Sequence, residues 1–281
     1  MSEQTTRTRL GSAFALPMRF VPLGRNVDTM EKISSRQNKI IAHIRRLGSD
    51  RAYRRSCGQY VCDGEKLLRE ALIWGAEVKI ALWSRPPCVA LPDTAAQYEA
   101  PQELLDYATS LKNCPGVLFT VEQKRWEPAA PGRTLVLETI QDPGNLGTIL
   151  RTANALCMDT VILTGECADL YNPKTVRAAM GALFRQRVYE LPRAGMRDYL
   201  TENHMRLYGA ALSDTAADIR SLSLDRAAVA IGSEGSGLSN ELLEMCDGQL
   251  VIPMNPDCES LNAAAAAAIV MWELTGRSSV R

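Results

Sequence analysis

Asn145 and Arg151 stand six residues apart in QDPGNLGTILRTANAL, directly after the apolar run TLVLETI. An arginine about one and a half helical turns from a strand end can reach a phosphate or a hydroxyl in the adjoining cleft. Asn145 reads as the N-cap of the helix that carries it. A second loop, AIGSEGSGLSNEL, holds Gly232, Glu234, Gly235 and Gly237. Its glycines admit positive φ and let a ligand approach the main chain, so a side chain at Gly232 is expected to fill the space where backbone and ligand meet. The spacing is G-x-x-G-x-G rather than G-x-G-x-x-G, and no GK[ST] follows, so nucleotide-phosphate readings lose support. The third loop, VIPMNPDCESLNAAAAAAIVMWEL, places Ile252 and Leu261 nine residues apart around two prolines. Folded back on itself, it can grip a flat ring between those side chains while main-chain groups read an adenine edge. Taken singly, each stretch also fits a surface arginine, a plain glycine turn or a proline-bounded loop.

These loops need a scaffold that delivers them to one place. Each follows a short apolar run and precedes a helix-like segment, so each belongs at the carboxyl edge of a parallel sheet, where ligands bind in open α/β folds. The pattern from TLVLETI onward alternates strand and helix: VILTG, then PKTVRAAMGALF capped by Asn172 with Pro173 at its first position, then VYEL, LYGAAL, AAVAI and QLVI. This predicts an α/β domain over 135–281 with a mostly parallel sheet. A smaller α/β domain is predicted over 31–124 from the strands around 60–62, VKIALW and GVLFTV, with RWEPAAPGRT (125–134) as linker. With 281 residues there is room for a separate core in each.

The chain carries 32 basic and 32 acidic side chains, yet residues 1–60 hold 12 Lys and Arg against 4 Asp and Glu. A basic front on a neutral protein suits a polyanionic partner. Residues 1–30 read as a flexible basic tail. The spacing predicts a helix from Ile33 to Leu47, capped by Ser34 or Ser35 and ended by Gly48. Arg36, Lys39, His43 and Arg46 share one of its faces, and Arg51, Arg54 and Arg55 follow. That continuity favours a phosphate-binding surface over a merely solvated one. The eight cysteines include no CxxC, and only two histidines accompany them, so no metal site and no disulfide framework are expected. The longest apolar run, 263–272, is too short to span a bilayer.

In order, N-x-G-x-x-x-R (Asn145, Gly147, Arg151), G-S-E-G-x-G-L (232–238) and I-P-M…S-L-N (Ile252, Pro253, Met254, then Ser260, Leu261, Asn262) resemble the three signature motifs of the SpoU/TrmH family. These are 2′-O-ribose RNA methyltransferases of the SPOUT superfamily. NPKTVRAAMGALF fits the same pattern, and the resemblance runs from about 135 to 274. It implies a trefoil-knotted domain and S-adenosylmethionine held by Gly232, Glu234, Gly235, Ile252, Met254, Ser260, Leu261 and Asn262. It further implies Arg151 and Asn145 as catalytic residues and a homodimer formed through the knot. The N-terminal half is similar to a small RNA-binding domain akin to certain ribosomal proteins, which would make Arg36, Lys39, Arg46, Arg51, Arg54 and Arg55 RNA contacts. The expectation is a cytoplasmic enzyme acting on rRNA, with a tRNA enzyme or a non-catalytic RNA-binding protein as alternatives. Two departures stand out: Asn38-Lys39 replaces the usual Asn-Pro, and six alanines follow Asn262.

Overall fold

The computed structural model describes residues 30–109, 114–127, 129, 132–255, 257–258 and 260–276. The expected tail therefore lies almost wholly outside the described residues. Among them, two sheets fall on either side of residues 123–133. The first combines β1 (Glu31–Lys32), β2 (Gln59–Asp63), β3 (Val78–Trp83), β4 (Ala96–Glu99) and β5 (Val117–Glu122) in the order β1-β4-β3-β5-β2. Helices α1 (Lys39–Ser49), α2 (Arg51–Cys57), α3 (Glu65–Ile73) and α4 (Gln102–Ala108) accompany it. The first helix starts six residues later than its apolar spacing suggests. Asn38 caps it by accepting the Ile40 N–H at 2.8 Å, and Ile33 instead docks beside the strands through its N–H to Glu99. Asp50 then ends α1 and caps α2, so Gly48 is an interior residue.

The second sheet is larger and all of its pairings are parallel: β10-β12-β9-β11-β6-β7-β8. Its strands are β6 (Thr134–Glu138), β7 (Thr160–Thr164), β8 (Val188–Glu190), β9 (Arg206–Ala210), β10 (Ala217–Asp218), β11 (Ala227–Ile231) and β12 (Gly248–Val251). Every residue of β6, β7 and β11 is buried, as strands covered on both faces require. The helices are α5 (Pro143–Ala155), α6 (Pro173–Ala179), α7 (Arg193–Glu202), α8 (Asn240–Met245) and α9 (Ala263–Thr275).

Helix α5 lies between α6 and α9. Its approach to α6 depends on Gly147, where a Cβ would meet the Thr175 carbonyl at 2.5 Å and the Ala178 Cβ at 2.6 Å. The alanine run of α9 serves the same end: Ala263, Ala264 and Ala267 are buried on the side packed against α5 and β11.

Each half has a core of its own, around Ile41, Leu82 and Leu105 in the first and Val136, Met196 and Leu242 in the second, and a third, larger apolar core runs through both. Tyr60, Trp83 and Phe119 of the first sheet pack in the same cluster as Leu135, Leu163 and Phe184 of the second half. The rings of Tyr60 and Tyr171 lie 4.7 Å apart across the junction. Ion pairs reinforce it: Arg54 with Asp169, Arg177 with Asp63, Arg185 with Glu70 and Arg55 with Glu190.

Candidate functional site

The loop after β6 turns into α5 over four residues, with Thr139 held at φ 56°. Asp142, rather than Asn145, is the N-cap: its Oδ1 accepts the Asn145 N–H at 2.7 Å, and Pro143 occupies the first turn. A carboxylate takes the cap more strongly than an amide near the positive end of the helix dipole, and this leaves the Asn145 side chain free to act elsewhere. Its Nδ2 donates to Glu234 in the glycine loop. Its Oδ1 accepts from Asn262 Nδ2 at 3.2 Å. The Asn262 Oδ1 in turn caps α9, accepting the N–H groups of Ala264 and Ala265 at 3.0 and 3.3 Å. One half-buried asparagine thus ties together all three loops singled out by sequence.

Arg151 is not drawn into that cluster. Six residues further along α5 places it about 240° around the helix and about 9 Å along it, and it is exposed with no hydrogen bond or ion pair among the described residues. It is an exposed cation on the helix whose first turn carries the polar network.

The glycine loop closes on itself. Ser233 and Gly237 exchange main-chain hydrogen bonds of 3.2 and 2.9 Å, and Gly237 adopts φ +66°. A Cβ on Gly232 would fall on the Gly237 carbonyl and the Leu238 nitrogen. The glycine is therefore required by the loop's own return strand, a different reason from the ligand approach expected from sequence. Gly235 has open space where a Cβ would stand, and both it and Glu234 are exposed.

A residue absent from the motif reading fixes this loop. Glu138, the last residue of β6, has a side chain only 2% exposed and accepts from Ser239 N–H at 2.7 Å, Ser239 Oγ at 2.8 Å and Arg193 Nε at 2.7 Å. Burial by itself pushes the carboxyl up. The Ser239 N–H, the Arg193 guanidinium and the Ser239 hydroxyl outweigh it and hold the group below its ordinary value. Ser239 Oγ also accepts the Leu242 N–H at 3.1 Å, capping α8. The signal available in sequence was a lone acid closing an apolar strand.

In the third loop Ile252 and Leu261 are half-buried, as is Met254, while Ser260 is exposed. Ile252 packs on the main core. The loops after β11 and β12 and the start of α5 therefore join a partly apolar surface to a carboxylate and two amides. This is a donor set suited to a flat heterocycle bearing a cationic appendage.

The basic residues of the N-terminal half divide into three groups. Arg54 leaves the proposed phosphate face altogether: it is 3% exposed, bonded to Asp169 through Nε at 2.8 Å and to the Leu47 carbonyl through Nη1 at 2.6 Å. Arg51 and Arg55 line a cleft of about 390 Å³ between α2 and the carboxyl ends of β7 and β8, with Gly165, Glu190 and Arg193 on the opposite wall. Arg55 pairs there with Glu190 at 3.1 Å. Arg36, Lys39 and Arg46 are exposed on or beside α1, Arg46 lying over the Tyr53 ring and paired with Asp50 at 3.2 Å. Among the described residues no cluster of His, Cys, Asp and Glu could hold a metal ion, and no helix is long and apolar enough to cross a membrane.

Comparison with known proteins agrees with this geometry. The SpoU rRNA Methylase family model matches residues 132–272. A Bacillus subtilis protein named 23S rRNA (guanosine(2553)-2′-O)-methyltransferase RlmP is 30% identical over 249 residues, covering 88% of this chain and 100% of its own. An uncharacterized tRNA/rRNA methyltransferase of Synechocystis is 32% identical, covering 86% of this chain and 92% of its own. Among solved structures, an AdoMet-bound rRNA methyltransferase from Sinorhizobium meliloti superposes with TM-score 0.78 at 25% identity, over 87% of this chain and 97% of its own. The SpoU methyltransferase AviRb from Streptomyces viridochromogenes, also with AdoMet, gives 0.76 at 25% identity, over 85% and 97%. The parallel sheet of this chain is the knotted SPOUT methyltransferase fold. With its three motif loops gathered at one sheet edge, the chain belongs to the SpoU rRNA methylase family.

Proposed function

We propose that this protein transfers the methyl group of S-adenosylmethionine to a ribose 2′-hydroxyl of rRNA. The observation that carries the reading is Asn145, which joins the loops after β6, β11 and β12 into a single site. The half-buried Ile252, Met254 and Leu261 offer an apolar seat for the adenosine. Gly235 leaves its loop open, and Glu234 places a carboxylate for the sulfonium charge. Ser260 and Asn262 contribute polar groups at the rim, and Gly232 keeps the loop in shape. When bound, the cofactor supplies an electrophilic methyl on a good leaving group.

The protein's task is then to align the 2′-oxygen and to help its proton depart. Arg151 is the cation available for this. A guanidinium is a poor base, so Arg151 acts by polarising the hydroxyl or holding the neighbouring phosphate. Asn145 keeps the site assembled. Glu138 positions the glycine loop through Ser239 and touches neither reactant.

RNA reaches this edge from the cleft beside Gln141, where Arg51 and Arg55 stand, and from the basic face with Arg36, Lys39 and Arg46. The N-terminal half (31–124) is the RNA-recognition part, joined by 125–134 to the catalytic part (135–281). The reading favours rRNA because relatives covered along nearly their whole length carry that substrate in their names. The active form is a cytoplasmic homodimer. Helix α9 presents Ile269 and Trp272 to solvent, 38% and 60% exposed, on the knotted part. Trp272→Glu is expected to yield monomers by light scattering; an unchanged mass would place the interface elsewhere.

The reaction is tested by incubating the protein with methyl-labelled cofactor and unmodified 23S rRNA, 16S rRNA or tRNA transcripts. Alkali-resistant label at one dinucleotide step in rRNA is the expected product. Label in tRNA alone, or none, refutes the reading.

A further inference from the structure

A methyltransferase of RNA needs affinity as well as chemistry, and one cluster outside the catalytic edge has no other evident use. Residues 33–49 contain Arg36, Lys39, Arg45 and Arg46 and no aspartate or glutamate. Two of these cations share a single ring: the guanidinium carbons of Arg36 and Arg45 lie 4.6 and 4.2 Å from the centroid of Tyr107 on α4. Both arginines are exposed, and neither has a hydrogen bond or ion pair with a carboxylate among the described residues. Asp106 next to the ring is already engaged by Gln102 Nε2 at 2.9 Å and the Cys114 N–H at 2.7 Å. An exposed cation on an aromatic face gains only about 0.5–1 kcal/mol, and two cations on one ring repel each other. The arrangement is completed by an anion that the described residues do not supply.

The ring holds both guanidinium groups beside it while the two side chains remain exposed to solvent. That is the geometry for bidentate phosphate contacts. We propose that Arg36, Tyr107 and Arg45 form a docking site for phosphodiester groups of the substrate RNA, remote from the methylated ribose; this rests on the methyltransferase reading above. The distance follows from layering. Helices α1 and α4 cover the sheet face that carries Val61, Leu82 and Leu118, whereas Tyr60, Trp83 and Phe119 on the opposite face belong to the core shared with the catalytic half. RNA that touches both places must pass around the N-terminal sheet, so the site selects a large folded RNA. Lys39 and the ring-stacked Arg46 extend the same surface.

The test is a salt titration of full-length protein binding to an unmodified 23S rRNA transcript. Losing two phosphate contacts in the Arg36→Ala/Arg45→Ala double variant should lower the steepness of log K against log salt by about 1.4 to 1.8. Arg36→Lys/Arg45→Lys keeps both charges but loses the forked guanidinium, so its slope stays while affinity falls about threefold, and Tyr107→Leu should do the same. Cofactor affinity by calorimetry is unchanged in all three. An unaltered slope in the alanine pair, or full affinity in the lysine pair, overturns the docking site. Methyl transfer by the wild-type protein is scored on the same transcript: its absence refutes the enzymatic reading, whereas an unaltered slope with methylation intact refutes the docking site alone.

Discussion

Replacing Glu138 by glutamine removes one charge with almost no change in volume, and the structure says what that charge does. The carboxylate accepts three hydrogen bonds, two from Ser239 and one from Arg193. One carboxylate oxygen serves the Arg193 guanidinium and the Ser239 hydroxyl together and the other the Ser239 N–H, so the NH2 of an amide must face either the Ser239 N–H or the guanidinium and hydroxyl at once. Breaking a buried pair costs about 3–5 kcal/mol. Arg193 is 29% exposed and also touches Glu241 at 3.2 Å, so the lower end, about 3 kcal/mol, is expected. The pH dependence carries a sign. The folded carboxyl sits below its ordinary value, so its stabilisation is fully present above the unfolded pKa of about 4.3. It is lost as pH falls through the lower folded value. Urea unfolding should therefore show wild type and Glu138→Gln separated by a constant gap at neutral pH that closes in acid. Because Ser239 ends the glycine loop, cofactor affinity measured by calorimetry should fall about tenfold, equivalent to about 1.4 kcal/mol. A gap that persists unchanged to pH 3, or an unchanged cofactor affinity, would refute the argument that this carboxylate positions the loop.

Arg151→Ala should abolish methyl transfer while calorimetric cofactor affinity stays at the wild-type level, since Arg151 lies outside the network tying the three loops; wild-type turnover would remove its assignment. Gly232→Ala should lower both the melting temperature and cofactor binding because its Cβ meets the Gly237 carbonyl. Gly235→Ala, with open space around it, should leave the melting temperature unaltered, and equal losses in the two variants would contradict the loop geometry. Arg54→Ala strands Asp169, 10% exposed, and should cost about 3–5 kcal/mol in urea unfolding. It should leave the salt dependence of RNA binding unchanged, and a flattened salt slope would return Arg54 to the RNA-facing surface.

What was legible in the sequence was what local chemistry dictates. The runs TLVLE, TVILT and AAVAI are apolar throughout because both faces of a parallel sheet are covered, and all three are strands. The three loops could be placed at one edge because each follows such a run. The cap of α5 was misplaced since Asp142 and Asn145 are both competent, and only the turn after Thr139 decides between them. Arg54 looked like its neighbours Arg51 and Arg55; its burial depends on Asp169, 115 residues away. Glu138 reads in sequence only as the end of a strand, which it is; its further role stays hidden because its partners, Arg193 and Ser239, are likewise distant in sequence. The short strands β1 and β10 have two residues each, too few for any alternation to register.

The junction between the two halves has a consequence for how RNA is chosen. A shared apolar core, a close pair of tyrosine rings and four ion pairs hold the two halves together among the described residues and resist closure about a substrate. The span from the α1 surface to the Asn145 cluster is consequently fixed, like the gap of a caliper. An RNA docked on α1 as proposed must already hold its two contact points at that separation, or bear the whole cost of bending to it. On that proposal discrimination resides in the folded shape of the RNA rather than in the bases beside the modified ribose, and a short fragment with the right local sequence is expected to be a poor substrate.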